Sequence, residues 1–267
     1  MVRFRMATKI KKYEDIFKKN SVRSKDLVLL LSNWENDINN IRRFFLDEIE
    51  AKVPRNVKGR FSEPGPLLLK LAGTSENAYK YAFLKGKQAQ INFVNGKSIK
   101  LDWLDMEVPV MPGENPRRRC LDLIGKTREG NKADFVIAEL KKEGGDSPFY
   151  AAYEAIFYAL SVKNNTKELV HHPSFDGAPI ENYWKYYKNC KYLIVAATNK
   201  YWEMWKDHLN KLKDISSWVE NKYKYKLIYA EFNKVDFKTQ KQNSVNGKYS
   251  PSVPNEIRIW NQVQKSI

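Results

Sequence analysis

Residues 117–142, RRRCLDLIGKTREGNKADFVIAELKK, put ionisable side chains inside runs that otherwise read as buried strands. Asp122 sits within the apolar run 121–124, and Glu139-Leu140-Lys141 closes the apolar run that begins at Phe135. An unpartnered polar group in such a place costs about 2–7 kcal/mol, and an ionised one more, so these side chains need partners. Residues i and i+2 of a strand share a face, so Glu139 and Lys141 point one way and Leu140 the other. Pairing of the two runs brings both acids and the lysine to one spot. Two carboxylates and a main-chain oxygen there form a hard-oxygen site suited to magnesium.

The tripeptide pattern alone is common in this chain, which also contains Glu50-Ala51-Lys52, Glu220-Asn221-Lys222 and Asp236-Phe237-Lys238. The first and third of the four triplets lie in helix-like, charge-rich stretches, where i and i+2 do not share a face. Asp236 is separated from its apolar run by a polar interval. Glu139 alone follows directly on a strand-like run, Phe135-Val136-Ile137-Ala138, and has an acid in a preceding strand. A helix starting near Pro148 then carries Glu154-Ala155-Ile156-Phe157-Tyr158-Ala159.

This arrangement resembles the PD-(D/E)xK nuclease superfamily. Asp122 matches the first acid and Glu139-Leu140-Lys141 the ExK element. Residues 154–159 match a helix that reads Q-A-x-x-Y-A in RecB-like and Mrr-like members, with Glu154 in place of Gln. Cys120-Leu121 precede Asp122 where the family name has proline. The resemblance spans residues 98–200. It implies an α/β fold: a mixed central β-sheet flanked by helices, the αβββαβ restriction-endonuclease-like core, with an N-terminal helical extension. It also implies a magnesium-dependent endonuclease, with manganese as a workable substitute, that hydrolyses DNA in restriction, repair or phage DNA processing. Asp122, Glu139 and the Leu140 carbonyl are then the metal ligands. Lys141 polarises water or stabilises developing charge. Glu76, with Glu48 behind it and Glu107 as a further option, adds an acid. Glu154 and Tyr158, i and i+4 on one helical face, orient Lys141 or contact phosphate. The expected partner is double-stranded DNA, and cutting both strands with one site per chain makes a homodimer an expectation. The rival readings are a non-catalytic nucleic-acid-binding protein on the same fold and an RNA-directed nuclease.

Charge agrees with a polyanionic partner. The chain has 47 Lys+Arg against 31 Asp+Glu in 267 residues, a formal charge of +16 spread along its length. Two cysteines, Cys120 and Cys190, build neither a disulfide framework nor a cysteine zinc site. No apolar run approaches the length needed to span a membrane and no secretory h-region is present, so a cytoplasmic protein without a membrane partner is expected. No G-x-x-x-x-G-K-[ST], G-x-G-x-x-G or G-x-S-x-G occurs, which excludes the common nucleotide-binding and serine-hydrolase patterns. Adjacent His171 and His172 cannot both face one ion from a regular element. Trp184, Tyr186, Tyr187, Trp202 and Trp205, interleaved with lysines, are candidates for base stacking, with core packing as the default.

Periodicity predicts helices over 21–50, 75–89, 148–162 and 201–221. It predicts strands over 91–94, 98–103, 106–110, 119–125, 134–141, 191–197 and 225–232, with Asn95-Gly96 turning a hairpin. The expected organisation is an N-terminal helical region over 1–70, a nuclease-like core over 71–235 and a polar tail over 236–267.

Overall fold

Leu30, Trp34, Ile41, Phe45 and Ile49 recur on one helical stripe, and all are buried in the first helix region of the chain. The structure is a computed structural model that describes residues 30–53, 76–110, 120–128, 133–169, 190–235 and 258–263. In chain order the elements are α1 (Trp34–Lys52), α2 (Glu76–Gly86), β1 (Gln88–Asn92), β2 (Ser98–Pro109), β3 (Cys120–Thr127), β4 (Phe135–Lys141) and α3 (Pro148–Leu169). There follow β5 (Cys190–Thr198), α4 (Asn199–Glu203), a 3-10 turn (Lys206–His208), α5 (Leu209–Tyr223), β6 (Lys226–Phe232) and β7 (Ile259–Gln262).

The expected open, restriction-endonuclease-like sheet is not what the chain forms. The seven strands close into a mixed barrel in the order β1 to β7. Strands β1 to β4 are antiparallel, β4 to β6 are parallel, and β7 runs antiparallel to β6 and parallel to β1. Two features account for the closure. A bulge between Trp103 and Asp105 shifts the β2–β3 register, and bulges increase local bend and twist. The short β7 then pairs Trp260 with Ile91 on one side and Asn261 with Glu231 on the other, joining the two edges. Trp260 is fully buried, although it comes from the segment read as a polar tail.

Alternation along β4 divides the core in two. Phe135 and Ile137 pack outward with α1, α3 and α5, whereas Val136, Ala138 and Leu140 face the layer that contains α2. Helix α1 belongs to the outer layer, with Trp34 stacked on Trp218 at 5.5 Å. Helix α2 lies on the concave side: Phe83 meets Phe232 of β6 at 5.1 Å and Trp260 of β7 at 4.9 Å. Residues 78–84 of α2 are all buried. One of them is Lys80.

Several boundaries move for local reasons. Helix α2 stops at Gly86 because Lys87 takes φ +58°, which ends helices, and the freed residues start β1 at Gln88. The Asn95-Gly96 hairpin forms as expected, with Gly96 at φ +78°. The two strands expected over 98–110 are one strand interrupted by the bulge. The helix expected over 201–221 is broken into α4, the 3-10 turn and α5. Among the described residues no helix is long and apolar enough to cross a membrane.

Candidate active site

Lys80 explains how the site is assembled. An ammonium on a helix buried on every side needs carboxylates, and three reach it. Glu76, one turn earlier on α2, lies 3.2 Å from Nζ; Glu107 of β2 lies at 2.5 Å; and Asp122 Oδ1 of β3 touches it as well. Glu107 has φ +52°, a strained value for a non-glycine residue within a strand.

The other half of the site comes from β4. The β3–β4 ladder ends at the pair Leu123–Ala138. Beyond it Asp122 replaces the missing strand partner, its Oδ2 accepting the Leu140 N–H at 2.8 Å. The N–H and C=O of one strand residue point to the same edge, so the Leu140 carbonyl also faces the β3 side. Glu139 and Lys141 share the outer face, where Lys141 Nζ lies 2.9 Å from Glu139 Oε1, 2.8 Å from Glu154 Oε2 of α3 and 3.9 Å from Asp146. Two lysines thus approach the gap between β3 and β4 from opposite sides of the wall.

Six carboxyl groups facing two ammoniums leave an excess of negative charge, and the titration behaviour reflects it. Burial, then the charges of Asp122 and Glu154, pushes Glu139 well above 4.5 despite Lys141. Burial also raises Glu76, Glu107 and Glu154, with Asp122 adding to each and the neighbouring lysine opposing. Burial works against the charged form of Lys80, but Asp122, Glu107 and Glu76 outweigh it and hold the ammonium above 10.5. For Lys141 the same burial penalty is outweighed by Glu139, Glu154, Asp122 and Glu76. Burial and the charges of Glu139 and Glu154 push the Tyr158 phenol upward, so it remains a donor at neutral pH.

Asp122, Glu139, Leu140, Lys141, Glu76, Glu154 and Glu107 therefore converge, and Tyr158 lies close enough to feel the Glu139 and Glu154 charges. The Glu48 side chain, His171, His172, Trp184, Tyr186 and Tyr187 lie outside the described residues. Trp202 and Trp205 are buried, with Trp202 Nε1 donating to the Ala230 carbonyl, and are not presented for base stacking. The triplets at 50–52 and 220–222 sit on α1 and α5, away from this cluster. Sequence reasoning missed Lys80 and Asp146. Lys80 could have been found as the lone charge within Ala78, Tyr79, Tyr81, Ala82, Phe83 and Leu84.

Among the described residues no group of three or more His, Cys, Asp or Glu side chains stands ready to hold a metal ion, and the point on which Glu76, Glu107 and Asp122 converge is taken by the Lys80 ammonium. Glu139 Oε2, however, is buried with no hydrogen-bond partner. A buried carboxylate oxygen of this kind, on a residue that feels the Asp122 charge, fits a hard cation. The chain matches no family model, no curated protein and no solved structure.

Proposed function

We propose that this chain is a divalent-metal-dependent nuclease that hydrolyses DNA phosphodiester bonds, in keeping with its resemblance to the PD-(D/E)xK nucleases. One observation carries the reading: the Glu139 carboxyl is buried, its Oε2 has no hydrogen-bond partner, and the Asp122 charge acts on it. An ionised oxygen left so is costly unless a cation takes it up. Asp122, Glu139 and the Leu140 carbonyl would hold Mg2+ or Mn2+, which when bound polarises phosphate and makes water acidic.

The remaining side chains have roles that follow from their own positions. Lys141 stays protonated and offers an ammonium for negative charge developing on phosphate. Glu154, 2.8 Å from Lys141 Nζ, positions that ammonium, which Gln would do with less charge. The Tyr158 hydroxyl remains a donor. The formal charge of +16 supports a polyanionic partner around a site that is itself acidic.

A plasmid-nicking assay with Mg2+, with EDTA, and with Asp122→Ala tests the reading. Nicking that requires the ion and is lost in the variant is expected. Cleavage that persists in EDTA or survives the substitution overturns the mechanism. Retarded duplex migration with no cleavage under any ion would identify a binding protein, and cleavage of RNA alone would move the substrate class.

A further inference from the structure

Lys80 is the feature that the proposed reaction does not use. It is 4% exposed, lies on the concave side of the wall, and is held by Glu76, Glu107 and Asp122. Those acids come from a helix and two strands, so the lysine ties together three elements that meet at the site. Asp122 faces both ways: Oδ1 contacts Lys80, while Oδ2 accepts the N–H of Leu140, next to Glu139. Asp122 thus completes the cation position filled by the Lys80 ammonium, while its other oxygen reaches toward β4, where the buried Glu139 Oε2 has no hydrogen-bond partner.

Resting on the metal-dependent reading above, we propose that Lys80 is a built-in cation standing where a second divalent ion would otherwise bind. The chain accordingly takes one divalent ion per site, and removing the lysine converts Glu76, Glu107 and Asp122 into a second site for Mg2+ or Mn2+. The chemistry supports this assignment. Three carboxylates from separate elements are an oxygen donor set for a hard cation, and an ammonium is a single-charge substitute for it. Nuclease sites with two metals place them about 3.5–4 Å apart with shared ligands, and Asp122 is shared in that sense here. A fixed ammonium stabilises the three acids without depending on ion supply. It also holds Glu107 in its left-handed backbone conformation, which persists only when its surroundings enforce it.

Lys80→Ala is the test, since alanine keeps the helix and clears the space of the long side chain. Bound Mn2+ is counted by electron paramagnetic resonance on the full chain, in wild type, Lys80→Ala, Glu139→Gln and the double variant. The expected stoichiometries are about one, two, none and one ion per chain, as two positions sharing Asp122 require. Failure of Lys80→Ala to gain an ion over wild type, in either background, overturns the proposal. Wild type binding none while Lys80→Ala binds one would keep the role of Lys80 and sink the hydrolase reading instead. Two ions on the wild type would overturn the proposal directly. If Lys80→Ala does not fold without ions, recovery of its native circular dichroism on adding Mn2+ supports the proposal, and no recovery overturns it.

Discussion

Glu139→Gln should make the metal-free protein more stable at neutral pH while abolishing cleavage. The substitution keeps the shape of the side chain and removes one charge. Glu139 Oε1 accepts from Lys141 Nζ at 2.9 Å, a role the amide oxygen can retain. That bond loses its carboxylate partner, a loss of about 1 kcal/mol, but Lys141 keeps Glu154 at 2.8 Å. Against this, Oε2 is a buried carboxylate oxygen without a partner, which costs about 1–3 kcal/mol or more. The amide NH2 placed there donates toward the acids that now repel Glu139. The net gain is up to about 2 kcal/mol, or as much as roughly 8 °C in Tm for a domain of this size.

The pH dependence makes the test specific. Burial, then Asp122 and Glu154, raises the Glu139 carboxyl above its ordinary 4.5. The folded chain thus binds this proton more tightly than the unfolded chain. Its contribution is fully favourable below pH 4.5 and is lost as pH rises through the folded value. Glutamine does not titrate, so the advantage of the variant should be near zero at pH 4 and grow toward pH 8. Thermal melts in EDTA across that range measure it. An equal or lower Tm for Glu139→Gln at pH 8, or a gain independent of pH, would refute the argument.

Lys141→Met retains the aliphatic stem and removes the ammonium. Cleavage should fall below about a tenth of the wild-type rate, a loss above 1.4 kcal/mol, with duplex affinity nearly unchanged in a gel-shift titration. Gly125→Ala should lower Tm by several degrees, because a Cβ there would lie 2.8 Å from the Asp102 carbonyl oxygen and 2.9 Å from the Trp103 ring. Such overpacking costs about 1–3 kcal/mol, and an unchanged melting curve would show that β2 yields freely. Duplex affinity should fall with salt at a log–log slope of about −3 or steeper, as three or more phosphate contacts require, and a flat plot would remove the polyanion argument.

Alternation in 135–141 and the acid within 121–124 were enough to read β3 and β4, to separate Glu139 and Lys141 from Leu140, and to anticipate that Asp122 would join them. Helix periodicity likewise showed α3 and put Glu154 one turn from Tyr158. These features are local: each records how often a residue meets core or solvent, and the chain repeats that record every two or every 3.6 residues. Closure of the sheet left no such record. Strand β7 is four residues with one buried side chain, Trp260, inside a polar segment, and its pairing with β1 and β6 depends on bends made elsewhere. The Lys80 cluster was also beyond local reading. Its burial was visible among the apolar residues of α2, but Glu107 and Asp122 become its neighbours only when the sheet curls around that helix, because an ion pair is chosen by proximity in space and not by spacing along the chain.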